Sequence, residues 1–294
     1  LRSFKSNSLF IAALIAATIV FSPSGDAQTK GRLLIIGGGE RTDEIMQKFI
    51  HLAGGKEAVV VIFPMASSVP EEVGPEYVKQ MKGLGVKDAF YLNINADAAN
   101  QDSTVAKLKD VTAVFYSGGD QVLLTAALLN TKVQKRVEEI YRNGGVVGGT
   151  SAGAAVMSKI MITGNELLNK DTTASFFTLT KGNVETKEGF GFVTNAVIDQ
   201  HFVVRKRHNR LISIILQNPS LLGVAIDEAT CIIVNPDQTF EVLGESVVLV
   251  YDATRSKRIR TNKNNYLTAD DLSLHILQSG DQFNMKTKRP VVKK

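Results

Sequence analysis

The sequence predicts an α/β protein built on a mostly parallel β-sheet with helices packed against both faces. Three observations carry this. Short β-branched runs alternate with segments of helical pattern through the first half of the chain. Those runs are apolar without polar alternation, as strands buried on both faces are. Strand–helix alternation then implies crossover connections and parallel strands. Three strand ends carry glycine-rich turns, at 37–39, 118–119 and 148–149. In such sheets ligands bind beyond the carboxyl ends of the strands, so these turns are expected to converge on one edge.

The elements follow in order. A strand over 32–36 closes on Gly37-Gly38-Gly39, and a helix is expected over 41–52. A second strand, 58–63, precedes a mostly helical stretch over 70–84, where Gly74-Pro75 predicts a late start. A strand over 88–92 and a short helix over 105–109 come next. The fourth strand, 111–116, ends in Ser117-Gly118-Gly119-Asp120, and 121–130 and 132–142 read as helices. The fifth, 145–149, leads into a helix over 151–160. Later, 196–200 is a strand followed by a basic helix over 203–217. Short strands follow at 224–227, 231–235, 239–243 and 246–251, with Asn235-Pro236-Asp237-Gln238 as a hairpin turn. These strands are expected to extend the sheet antiparallel or to form a small second sheet. A dinucleotide fingerprint is set aside, because Thr42 stands where its last glycine belongs.

The bulk composition fits one globular domain over 28–294: 294 residues, 44% hydrophobic and 21% charged. The formal charge is +5, with part of the excess in 255–263 and 286–294. These stretches read as a solvated hairpin and a frayed terminus, and no nucleic-acid motif accompanies them. Cys231 is the single cysteine. It permits no intramolecular disulfide and reads as a buried, inert thiol. No zinc-ligand spacing appears, and neither a metal nor another cofactor is expected. At the start, Arg2 and Lys5 precede an apolar run over 9–21 and a small-residue stretch ending at Ala27. That order predicts a signal peptide over 1–27, a secreted or periplasmic protein, and no stable membrane association once the leader is removed.

The segment Gly148-Gly149-Thr150-Ser151-Ala152-Gly153-Ala154 lies between a buried strand and a helix. Gly149, Ser151 and Gly153 make a Gly-x-Ser-x-Gly pattern. A nucleophile on a sharp strand-to-helix turn needs small neighbours two residues away on each side. The Ala152 amide would then face a developing oxyanion, and the helix start adds a favourable dipole. The same pentapeptide also suits a serine N-cap on a glycine-rich turn. Of the four histidines, His51 and His208 fall in helices and His275 in the polar C-terminal region. His201 ends a strand, where catalytic groups collect, and is the best base, although a lone histidine also suits a structural role. Glu228, at another strand end beside Asp227, is a candidate partner for the imidazole or an ordinary turn carboxylate. A second oxyanion donor is expected from the turn at Gly118, Gly119 and Asp120.

Taken together, Ser117-Gly118-Gly119-Asp120-Gln121, the Ser151 turn, Asp199-Gln200-His201 and Ile226-Asp227-Glu228 resemble the cyanophycinases. These belong to the serine peptidase family that also holds aspartyl dipeptidase (peptidase E). The resemblance runs from about residue 30 to 250. It implies a flavodoxin-like α/β fold related to class I glutamine amidotransferases, with added C-terminal strands. It implies Ser151 as nucleophile, His201 as base and Glu228 as third member. Gly119, Asp120 and Gln121 then contribute to the oxyanion hole and substrate pocket, with Gln200 beside the base. Arg205, Arg207 and Arg210 match a cyanophycinase Arg-x-Arg-x-x-Arg set that would clamp carboxylates, with Arg207 and Arg210 on one helix face. The implied substrate is cyanophycin, a poly-aspartate backbone with arginine on each β-carboxyl, cut to β-aspartyl-arginine dipeptides. The pocket should then hold both signs of charge, with Asp120 and Asp199 supplying the negative one. A homodimer is implied. Two other readings stay open: a secreted aspartyl dipeptidase-like enzyme, and a peptide-binding relative without turnover. The stretch from 162 to 190, including Asn169 and Lys170, and the extension beyond 252 match nothing in the pattern, and the former is placed to reshape the pocket.

Overall fold

The computed structural model describes residues 29–168 and 176–292. The expected leader over 1–27, and Asn169 with Lys170, lie outside the described residues. The first half alternates as expected: β1 (Arg32–Ile36), α1 (Asp43–Leu52), β2 (Val59–Phe63), α2 (Pro70–Gly83), β3 (Asp88–Tyr91), α3 (Ala96–Ala99), α4 (Asp102–Ala106), β4 (Ala113–Tyr116), α5 (Gln121–Leu128), α6 (Lys132–Arg142) and β5 (Val146–Thr150). The five strands pair in parallel in the order β1-β5-β4-β2-β3. Side chains alternate between two faces with period two. Leu33, Val61, Val114 and Val147 pack with Leu124 and Leu128 of α5 and Val137 of α6. Leu34, Val60, Phe115 and Val146 pack with Phe49 of α1 and Tyr77 and Met81 of α2. Each large side chain withdrawn fully from water in this way contributes about 1.5–3 kcal/mol.

After β5 come α7 (Ala152–Ala155), β6 (Ile160–Glu166), β7 (Val184–Glu188), β8 (Ala196–Asp199), α8 (His208–Gln217), β9 (Leu222–Ile226), β10 (Thr230–Val234), β11 (Thr239–Gly244) and β12 (Val248–Asp252). The chain then adds β13 (Lys257–Thr261), β14 (Leu267–Asp270), β15 (Ser273–Leu277), β16 (Gln282–Asn284) and β17 (Arg289–Pro290). Both alternatives foreseen for the later strands are realised. β10, β11, β16 and β17 extend the main sheet antiparallel beyond β1, giving nine strands among the described residues. β15, β12, β9 and β8 form a second sheet, in which β8 and β9 run parallel with Asp199 opposite Ala225. Leu211 and Ile215 of α8 cover it, packing with Val197, Ala225 and Leu249. Cys231 is buried in β10, and burial pushes its thiol well above the usual range. The basic run at 255–263 forms an exposed strand, β13, paired with β14. Among the described residues, no helix is long and apolar enough to cross a membrane.

Several boundaries differ from expectation. α2 starts at Pro70, the position where a missing N–H costs least, and carries Pro75 inside it. Helix forms at 96–99 and 102–106 rather than at 105–109. Gly148 and Gly149 lie within β5, so that turn starts at Ser151. The helix expected over 151–160 lasts one turn, because 152–157 is buried on every side and β6 begins at Ile160. α8 starts at His208 instead of 203, which leaves Arg205 and Arg207 in the turn before it.

Candidate active site

Ser151 follows the last residue of β5 at φ 54° and ψ −108°, a conformation that non-glycine residues rarely hold except where surroundings over-determine it. The surroundings do so. The Ser151 amide donates to the Ile36 carbonyl at 3.1 Å, and its own carbonyl accepts from Ala154 and Ala155 at 2.9 and 3.0 Å. The flanking glycines are sterically required: a Cβ at Gly149 would sit 2.5 Å from the Gly153 carbonyl oxygen, and one at Gly153 would sit 2.3 Å from that of Tyr116.

His201 stands two residues past the end of β8, also at positive φ, 47°. Its amide donates to the Gly37 carbonyl at 2.7 Å. Its Nε2 lies 2.8 Å from Ser151 Oγ. Its Nδ1 is hydrogen-bonded to Glu228 Oε1. Glu228 sits on the short link by which the chain leaves β9 in the second sheet and enters β10 in the main one. The Ala229 amide, next along that link, donates to the Gly38 carbonyl at 2.9 Å. The glycine turn after β1 thus holds both the imidazole segment and the carboxylate segment. Burial lowers the His201 pKa below the usual histidine value, and the Glu228 hydrogen bond pushes the other way. A neutral ring with its Nδ1 proton held by Glu228 leaves Nε2 able to accept the Ser151 proton.

Of the other histidines, His208 is engaged with the Tyr251 hydroxyl at 2.7 Å. His51 lies in the last turn of α1, and His275 packs edge-on to Phe283.

A cavity of about 240 Å³ opens beside Ser151. Gly119, Asp120, Gln121, Gln200, Arg205, Arg207 and Arg210 are among the residues that line it. Their bonding revises several individual roles. The Asp120 amide donates to the Ala66 carbonyl at 2.8 Å and is not available to an oxyanion, while its carboxylate caps α5 through the Val122 amide. Among the described residues, the Gly119 and Ala152 amides donate to no backbone carbonyl, and Gly118 lies close enough that a Cβ there would be 3.4 Å from Ser151 Cβ. Gln121 spends its amide nitrogen on the Ile162 and Thr163 carbonyls at 2.7 and 2.8 Å. Asp199 is buried, bonded to Arg210 through both oxygens and to the Gln200 amide, so it offers no charge to a ligand. Gln200 accepts from Arg207 Nη1 at its backbone carbonyl and its side chain, 2.9 and 2.8 Å. Arg207 and Arg205 are therefore the cations with capacity left, and they do not share a helix face with Arg210. Burial, reinforced by the charges of Arg210 and Arg205, pulls the Arg207 pKa down to about 10.

Two contributions had no role assigned from the sequence. Asp227 takes the Val203 and Val204 amides and the Ser246 hydroxyl, and so folds the turn that carries the arginines. Thr163, Gly164 and Asn165 complete the cavity lining, from the stretch that matched no pattern.

The profile of peptidase family S51 matches residues 33–242, which include Ser151, His201 and Glu228. The chain belongs to peptidase family S51. It is a serine-type peptidase. Among curated relatives, a cyanophycinase of Geminocystis herdmanii is 34% identical over 89% of this chain and 96% of that protein. One of Synechococcus elongatus is 35% identical over 88% of this chain and 80% of that protein. One of Trichormus variabilis is 35% identical over 90% and 89%. A crystal structure of a peptidase from an acI-B1 Actinobacterium superposes with a TM-score of 0.65 over 88% of this chain and 98% of that one, at 22% identity, which supports the shared fold.

Proposed function

We propose that the protein is a secreted serine exopeptidase that hydrolyses cyanophycin to β-aspartyl-arginine dipeptides through an acyl-enzyme. The observation that carries this reading is the continuous Ser151–His201–Glu228 hydrogen-bond chain beside an arginine-lined cavity, in a chain about 35% identical to cyanophycinases over most of its length. Ser151 Oγ attacks the amide carbonyl carbon as His201 Nε2 takes its proton. The Oγ–C bond forms, and the negative charge on the former carbonyl oxygen is met by the Ala152 and Gly119 amides. Collapse breaks the C–N bond, and His201 returns the proton to the leaving amine. Water then adds to the acyl carbon, giving a proton to His201; the Oγ–C bond breaks as Oγ takes that proton back from His201, which frees the acid and restores the serine. Arg205 and Arg207 bind the free carboxylates of the substrate, which belong to its β-linked arginines and its chain terminus, since both carboxyls of each internal aspartate are in amide bonds. Export rests on the leader-like order of residues 1–27 and suits an enzyme that meets polymer released by other cells.

The test is hydrolysis of purified cyanophycin, with β-aspartyl-arginine followed by mass. Ser151→Ala should lower kcat by about a millionfold, by analogy with other serine nucleophiles, and should abolish labelling by a fluorophosphonate. Cleavage of aspartyl dipeptides with no action on the polymer would replace this substrate by a dipeptide one. Wild-type binding without turnover would leave a peptide-binding protein.

A further inference from the structure

Arginines account for one stretch of the cavity lining; a second stretch has different chemistry. Asp120, Thr163 and Asn165 line it with oxygen-bearing side chains. Asn165 faces the cavity because of an irregularity in β6. Its pairing with β7 shifts register between Ile162 and Glu166, and Gly164 within that interval stands at φ 101°. Bulges of this kind re-aim side chains and recur beside active sites.

The bulge is fixed from two sides. Gln121 Nε2 ties down the Ile162 and Thr163 carbonyls at 2.7 and 2.8 Å. From β7, Glu185 Oε2 accepts the Thr163 hydroxyl at 2.6 Å and Asn165 Nδ2 at 2.9 Å. With its nitrogen spent on Glu185, Asn165 has its carbonyl oxygen left as an acceptor. A cationic ligand group entering the cavity is repelled by Arg205 and Arg207 and attracted to this stretch.

Resting on the cyanophycin reading, we propose that the β6 bulge, with Asn165 in contact, Glu185 behind it and the Asp120 carboxylate beside it, is the subsite for the guanidinium of the substrate's β-linked arginine. A guanidinium carries five N–H donors and no acceptor, so it needs convergent oxygens. The bulge and Asp120 supply them, and the arginine stretch supplies the opposite chemistry for carboxylates. Glu185 acts as a positioning residue: it orients Asn165.

The test measures binding to the full chain carrying Ser151→Ala, so that turnover does not enter. The probes are β-aspartyl-arginine and β-aspartyl-citrulline, which share shape but differ in charge. The arginine dipeptide should bind about tenfold tighter. Adding Glu185→Ala, which removes the acceptor that holds Thr163 and Asn165, should lower that ratio severalfold without weakening the citrulline dipeptide. Asn165→Ala, at an exposed position, should do the same and guards against misfolding of the first variant. Absence of preference at the outset, a preference that survives both substitutions, or equal weakening of both dipeptides overturns the subsite. Polymer hydrolysis by the wild type is measured separately. If the polymer is left intact while the dipeptide preference behaves as stated, the proposed function falls and the subsite stands.

Discussion

Ser151 rests on the parallel part of the main sheet, whereas His201 and Glu228 hang from the second sheet, at the end of β8 and on the β9–β10 link. The serine is placed largely by contacts within a few residues, the bend at φ 54°, the close approach of Gly149 to Gly153 and the carbonyl bonds from Ala154 and Ala155, with the Ile36 and Tyr116 carbonyls as its distant supports. The imidazole and carboxylate are placed by partners far along the chain. β8 and β9 must pair in parallel before the two groups meet, and Gly37 and Gly38 must then hold both loops. A locally built group tolerates distant change and fails to nearby change; a group built from long-range contacts does the reverse. Each substitution below strains one arrangement more than the other.

Glu228→Gln is the most damaging of these. It leaves the fold of the serine bend alone and removes the charge that steadies His201. Loss of the corresponding carboxylate in other serine triads lowers kcat by about ten thousandfold, and the same order is expected here. The pH profile should shift with a defined sign. Burial lowers the His201 pKa and Glu228 raises it. Removing Glu228 therefore moves the acid limb of kcat/KM to lower pH, away from an already depressed position. An unshifted limb would mean that the carboxylate does not touch the titrating group.

Arg210→Ala tests the second sheet instead. Arg210 and Asp199 are both buried and pair through two hydrogen bonds. Taking away one partner strands a buried charge and should cost about 3–5 kcal/mol of stability, measured by urea unfolding. Adding Asp199→Asn to the same chain should recover much of that loss, because the uncompensated charge is gone. If the single variant unfolds like the wild type, the pair is not a structural element and Arg210 is free to bind substrate.

Gly38→Val acts on the joint between the halves. A Cβ there would sit 2.2 Å from His201 Cε1, so the ring must move relative to Ser151. Displacement by about 1 Å costs on the order of a hundredfold in kcat. Fluorophosphonate labelling would slow in parallel, while the serine bend itself stays formed. Labelling at the wild-type rate would show that the ring has room to spare.

The same contrast governs how far the sequence can be read. The parallel strands and the serine bend are legible because short-range sterics set them: buried β-branched runs, and glycines where no Cβ fits. His201 and Glu228 are legible as residues at strand ends, though their meeting depends on a strand pairing that no spacing reveals. The arginines were legible as a set but not in their roles. Helical spacing groups Arg207 with Arg210, whereas positive φ at His201 and Lys206 and the Asp227 carboxylate fold 201–207 into a turn. That carboxylate arrives from more than twenty positions away. The bulge around Gly164 was not legible in detail, because its shape comes from Gln121 and Glu185, neither of which is near it in sequence.

Arg205→Ala has the smallest expected effect and the most diagnostic sign. The Arg205 side chain is 52% exposed, with Nε 3.8 Å from Glu228 Oε1. An exposed pair of this kind adds little to stability, so unfolding should change by less than about 0.5 kcal/mol. Its place in the cavity predicts a rise in KM on cyanophycin of about five- to tenfold, as expected for one solvent-exposed charged contact. Its charge also depresses the His201 pKa. Removing it should move the acid limb upward, opposite in direction to Glu228→Gln, while kcat at high pH stays close to that of the wild type. Opposite displacements from two residues that touch each other would place the titrating group between them, at His201. Displacements of the same sign would point to a rearranged turn, since a distorted 201–207 segment has no reason to respond to the sign of the charge removed.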